Sequence, residues 1–113
     1  MKTLKFRKHL ADMILDWQKY TTWRLFDDKD ISEYDVSMTY SFLISGTNEE
    51  FAKAKIIGVR ETTFGNLTED DWDGHEKFES EKQMYETYSG YYNREVTKDS
   101  PVKVIKFELI KQS

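Results

Sequence analysis

A chain of 113 residues, 38% hydrophobic and 34% charged, has material for one modest core, so a single domain over 1–113 is expected. Its net charge of −4 excludes coating of duplex nucleic acid by charge alone, and no apolar run nears the roughly 20 residues that a bilayer span needs. The lack of cysteine excludes disulfide and thiolate chemistry and fits a cytoplasmic address, and no export signal is expected because no apolar stretch follows residues 1–4.

In chain order, Thr3–Phe6 reads as a short opening strand. Leu10, Met13, Ile14 and Trp17 then fall at i, i+3, i+4 and i+7, an apolar stripe that predicts a helix over 8–17 packed on a sheet. Lys19 falls in the turn after it. From Thr21 to Phe26 the β-branched and aromatic content predicts a strand, whose alternation puts Thr22 and Arg24 on one face and Thr21 and Trp23 on the other. Residues 27–33 form a polar connection. Val36, Met38, Tyr40, Phe42 and Ile44 alternate with mostly polar neighbours, the cleanest strand pattern in the chain.

Ser45 to Asn48 supplies turn residues, and 51–63 returns as a long strand whose parity breaks around Gly58, which predicts a bulge or bend. Thr68 is placed as a helix N-cap with carboxylates in the first turn. A second helix start, Ser80-Glu81-Lys82-Gln83, has a capping-box pattern and opens a helix over roughly 80–90. After Pro101 the last strand, 102–110, carries apolar residues on both parities, so it is bulged or covered on both faces.

Charge is unevenly spread along this outline. Residues 1–24 hold six basic side chains against two aspartates, whereas 69–86 hold eight carboxylates against Lys77 and Lys82. A local basic face is therefore available on an acidic protein.

Chemistry concentrates in the stretch from Gln18 to Arg24. Lys19 and Arg24 are cations suited to anionic or carbonyl oxygens, and a hydroxyl such as that of Thr22 beside a lysine is the minimum for an activated nucleophile. The same residue types are commonplace on exposed strand edges, so taken alone they leave a surface role open. Trp17, Tyr20, Trp23 and the tyrosines of 85–92 are available to stack on bases or to fill the core. His9 and His75 are the only histidines and no carboxylate pattern matches a metal loop, so no metal is expected. No glycine-rich phosphate loop is present.

Lys19-x-x-Thr22-x-Arg24 after a short helix resembles the signature of the ASCH domain family, small PUA-like barrels tied to RNA. The Asp35-Val36 strand start, Leu67-Thr68-Glu69, the run Gly74-His75-Glu76-Lys77-Phe78 and the closing Val104-Ile105-Lys106-Phe107 fall in the family's order. The resemblance implies an α+β fold: a five- or six-stranded, mainly antiparallel β-barrel with two or three peripheral helices. It implies a domain that binds RNA or a modified ribonucleoside in a cleft around Lys19, Thr22 and Arg24, with Trp17 and Tyr20 as further ligand-binding residues. It also implies two alternatives, a ribonuclease and a metal-independent amidohydrolase that deacylates acetylcytidine.

In the amidohydrolase, Thr22 is the nucleophile, Lys19 the base and Glu76 the proton donor, with His75 or Glu69 replacing Glu76 under a shifted alignment. Arg24 or a backbone amide then stabilises the oxyanion. No cofactor, no membrane and a monomer are expected. Two positions depart from the family pattern: Trp17 and Tyr34 stand where the family usually has glycine, and Trp17 is expected to place a ring at the mouth of the site.

Overall fold

The computed structural model describes residues 2–26 and 34–110. The polar connection 27–33 lies outside the described residues. The elements run β1 (Thr3–Phe6), α1 (Lys8–Leu15), β2 (Thr21–Leu25), β3 (Thr39–Ile44), β4 (Glu50–Thr63), a 3-10 turn (Phe64–Asn66), α2 (Glu69–Trp72), α3 (Glu81–Tyr92) and β5 (Pro101–Leu109). The strands form one mixed sheet in the order β1-β3-β4-β5-β2, with β1 parallel to β3 and the other neighbours antiparallel.

The α+β class is as expected, but the sheet does not close into a barrel. Its two edges, β1 and β2, exchange no backbone ladder. A side chain occupies the place of that ladder: Arg24 of β2 lays its guanidinium 4.9 Å from the centre of the Phe6 ring and donates from Nη2 to the Lys5 carbonyl of β1 at 2.7 Å. The gap it braces is the cleft described below.

Two apolar clusters cover the faces of β5. Ile105 and Phe107 pack with Phe6, Phe42 and Ile56, and α1 lays Leu10 and Ile14 on them. Val102 and Val104 pack on the opposite face with Trp23, Leu25 and the Met84 and Tyr88 of α3. The last strand is thus covered on both sides, which is why both of its parities are apolar. The parity break in β4 is a register shift between Ile56 and Gly58 against β5.

α1 ends two residues before the expected boundary. Its last turn closes with Trp17 N–H on the Ile14 carbonyl and Gln18 N–H on the Met13 carbonyl, and Trp17 takes a left-handed φ of 64°. That bond pair is the Schellman helix end, whose left-handed position favours glycine. Trp17 therefore leaves the apolar stripe of Leu10, Met13 and Ile14 and is 60% exposed. β3 likewise starts later than the alternation suggests. Ser37 turns left-handed at φ 73°, and Val36 and Met38 are exposed.

Both downstream caps form. Thr68 Oγ1 accepts from Asp71 N–H while the Asp71 carboxylate accepts from Thr68 N–H, a complete capping box on α2. Ser80 caps α3 through Gln83 N–H, but Gln83 Oε1 turns to Glu79 N–H instead of completing a box.

Candidate functional site

The cleft between the sheet edges has a volume of about 190 Å³. Lys5 and Arg7 form one wall, and Thr22, Trp23 and Arg24 of β2 form the other. Glu76 and the tyrosines Tyr88, Tyr91 and Tyr92 of α3 close one end, with Leu10 of α1 among the remaining lining residues. Arg7 lies 4.4 Å above the Tyr91 ring, which ties the basic start of the chain to α3.

Glu76 reaches this place because the segment 71–76 is pinned to the start of β2. Tyr20 and Thr21 N–H both donate to the Gly74 carbonyl, at 2.9 and 3.1 Å. Thr21 Oγ1 donates to the Asp73 carbonyl, and Trp23 Nε1 to the Asp71 carbonyl. Gly74 has φ 80°, and a Cβ built there would lie 2.3 Å from the Tyr20 ring. Left-handed backbone and close approach together require glycine.

Below the cleft wall, Lys19 is buried in the turn between α1 and β2. Its ammonium donates to Glu76 Oε1 at 2.5 Å and to the Thr21 carbonyl at 2.7 Å. Burial lowers its pKa to about 8, against the upward pull of the Glu76 carboxylate. Its ammonium is thus far closer to giving up its proton at neutral pH than an exposed lysine is.

His75 holds Glu76 from the other side. Nδ1 lies 2.8 Å from the Glu76 carbonyl and 3.1 Å from Oε1, while Nε2 lies 3.0 Å from the Tyr88 hydroxyl. A carbonyl only accepts, so Nδ1 carries the proton and Nε2 accepts from Tyr88. The imidazole stacks on Trp23 with ring centres 3.6 Å apart. Burial, then the nearby Lys19 charge, holds its pKa well below 6.5, so the ring is neutral. Burial likewise raises the Tyr88 phenol well above its ordinary value.

The structure brings Thr22, Arg24 and Glu76 to one cleft and couples Lys19 to it through Glu76. Trp17 and Tyr20 do not line it. Trp17 lines a separate shallow groove with Leu15, Phe51 and Ile110, away from the mouth where it was expected. Tyr20 is exposed, with its hydroxyl donating to Asp73 at 2.6 Å. Alternation in β2 holds for Thr22, which pairs Ile105 of the first cluster, and for Trp23, which packs in the second.

The sequence did not single out Lys5 or Arg7 as cleft residues, although the basic bias of residues 1–24 was a signal for both. His75 was named as a replacement for Glu76; the structure instead places it buried behind Glu76 as a support. Among the described residues, no group of three or more histidines and carboxylates is placed to hold a metal ion. No helix of the described residues is long and apolar enough to cross a membrane.

Several solved structures with this backbone arrangement are ASCH domains. An ASCH domain of Lactobacillus crispatus JV V101 superposes with a TM-score of 0.72 at 14% identity, over 96% of this chain and 79% of that one. A protein of Enterococcus faecalis V583 gives 0.74 at 13% identity, over 97% and 76%. The ASCH protein of Zymomonas mobilis gives 0.61 at 16% identity, over 94% and 65%. No curated protein matches the sequence. The ASCH domain family model itself matches residues 2–111, and the chain belongs to that family.

Proposed function

We propose that the cleft binds one base of RNA or a modified ribonucleoside, with Glu76, Thr22 and Arg24 as the polar contacts. The observation that carries this reading is the fixed Glu76 carboxylate, held by Lys19 and His75 at the end of a cleft that Thr22 and Arg24 also line. A carboxylate so held accepts from an exocyclic amine, a contact that cytosine can make and uracil cannot. A volume of about 190 Å³ lies below the roughly 300 Å³ of ordinary drug-sized pockets and suits a base better than a longer oligonucleotide. Tyr91 and Tyr92 offer ring faces, and Lys5 and Arg7 offer charge for a phosphate outside the pocket.

Titration with cytidine, uridine and short single-stranded RNAs at two salt concentrations tests this. Cytidine is expected to bind with little salt dependence, uridine more weakly, and RNA with a moderate slope from its phosphates. Failure of every nucleoside and RNA to bind would remove the reading.

A second reading, amide hydrolysis of an acylated cytosine, is favoured by the Lys19 pKa of about 8. Thr22 Oγ1 would attack the acyl carbonyl and form an ester while the C–N bond breaks. Lys19 in its neutral form takes the hydroxyl proton and passes it through Glu76, to which it is hydrogen-bonded, to the leaving amine; water then hydrolyses the ester, releasing the acid and restoring the Thr22 hydroxyl. The binding reading stands first because the Lys19 ammonium is engaged by Glu76 and Thr21. Acetate release from acetylcytidine, lost in Thr22→Ala and partly kept in Thr22→Ser, would place hydrolysis first. Cleavage of the RNA probes in the same samples would point instead to a ribonuclease.

A further inference from the structure

In an antiparallel ladder, alternate residues turn both backbone groups toward the partner strand and the residues between turn theirs away. In β2 the phase is set at both ends. Phe107 N–H donates to the Tyr20 carbonyl and Phe26 N–H to the Pro101 carbonyl, so Thr22 and Arg24 also face β5. Thr21, Trp23 and Leu25 therefore face outward, toward the open edge of the sheet.

The outward groups on either side of Trp23 are taken. Thr21 N–H donates to the Gly74 carbonyl at 3.1 Å, and its carbonyl accepts from Lys19 Nζ at 2.7 Å. Leu25 N–H donates to the Tyr92 hydroxyl at 3.1 Å. Trp23 lies between them with its indole buried in the second cluster and its residue on the cleft wall. Among the described residues, neither its N–H nor its carbonyl has a partner. Beside it, Arg24 Nε is a buried donor that is also unpartnered. Buried backbone groups are almost always paired, so an open N–H and C=O on a cleft wall are groups left for a ligand.

The caps on Thr21 and Leu25 decide what kind of ligand. An extended peptide adding to a sheet edge needs successive outward residues, and here the N–H groups on both sides of Trp23 are already taken. We propose that the Trp23 peptide edge is a recognition element of this cleft. It takes a planar heterocycle that presents an acceptor beside a donor, as cytosine does with N3 and its amine. This rests on the nucleobase reading above and deepens it, since the remaining amine hydrogen is the one offered to Glu76.

Amide hydrogen exchange on the ¹⁵N-labelled chain tests the assignment without any substitution. In the free protein, the Trp23 amide is expected to exchange faster than those of Thr22 and Arg24, which are in the ladder. Saturating cytidine should slow it about tenfold or more. With 3-deazacytidine, which keeps the amine but replaces N3 by C–H, binding should weaken about tenfold and leave that amide unprotected. A Trp23 amide already as slow as its neighbours, or equal binding of the two nucleosides, overturns the proposal. If cytidine shifts the Glu76 and Thr22 amides but not Trp23 exchange, the proposal fails and the nucleobase reading survives. If no nucleoside shifts any cleft amide, both fail.

Discussion

Lys19 and Glu76, 57 residues apart in sequence, meet at 2.5 Å with the lysine side chain 1% and the glutamate 13% exposed. Every backbone bond that pins 71–76 to the start of β2 serves to bring these two groups together. The carboxylate helps the lysine keep its charge, since burial acts in the opposite sense.

Glu76→Gln should therefore cost about 3 kcal/mol in urea denaturation at pH 7, the range for breaking a buried pair. The double variant Lys19→Met/Glu76→Gln should recover much of that loss. The sign of the pH dependence follows from the lowered lysine pKa. Between about 8 and 10.5 the unfolded chain holds the Lys19 proton and the folded chain does not, so this group adds stability as pH rises. In Glu76→Gln that window should open at lower pH. A loss below about 1 kcal/mol, with an unchanged pH profile, would mean that the pair contributes little.

His75 sets the opposite limb. Its folded pKa lies well below 6.5, so as pH falls from 6.5 the unfolded chain gains a proton that the folded chain refuses. Stability should fall by up to about 1.4 kcal/mol per pH unit from this residue until its folded pKa is reached. His75→Gln should flatten that limb while leaving the loss below about pH 4, to which Asp71 contributes. There, burial opposes ionisation, but hydrogen bonds from Arg60 and Thr68 outweigh it and keep the carboxylate pKa below 3.8. Melting curves at half-unit steps from pH 7 to 4 separate the two. A wild-type limb that survives His75→Gln would refute the assignment.

What the sequence made legible followed from local patterns. Thr68 and Ser80 announce helix starts because their hydroxyls cap the adjacent amides, and Gly58 marks the β4 bulge because it interrupts a two-residue period. Lys19, Thr22 and Arg24 were marked by spacing and resemblance. That the sheet stays open was not legible, because the Arg24 side chain that spans the gap to Lys5 and Phe6 joins residues far apart in sequence and no periodicity encodes that. Trp17 was misplaced for a related reason. It continues the i+7 spacing, yet the chain reverses at Gln18 and Lys19 before its side chain can join the stripe.

The Trp17 position offers a clean substitution. A tryptophan at φ 64° carries a left-handed strain of about 1–2 kcal/mol, and the family's usual glycine carries none. Trp17→Gly should change stability by about +0.5 to +1 kcal/mol after the added flexibility of the unfolded chain is set against that relief. Because the ring lies in a groove away from Thr22 and Glu76, cytidine binding should not change. A tenfold gain in affinity would instead return Trp17 to the mouth of the site.

Arg24 is the residue on which the cleft's shape depends. Its Nη2 bond to Lys5 O joins the two sheet edges across the gap, and its guanidinium lies over the Phe6 ring, 4.9 Å from its centre. Lysine cannot copy this, because a single ammonium lacks the planar fork that bonds a carbonyl while stacking on a ring. Arg24→Lys should therefore leave the fold intact, with a loss of about 1 kcal/mol or less, but weaken cytidine binding about tenfold by letting the edges part. The comparison of cytidine with cytidine 5′-monophosphate, at about 50 and 200 mM salt, assigns the cause. As a brace, Arg24 affects both ligands equally and leaves the salt slope of the monophosphate unchanged. If Arg24 instead holds phosphate, only the monophosphate weakens and its salt slope drops by about one. The geometry favours the brace, because one arm of the guanidinium is already bonded to Lys5.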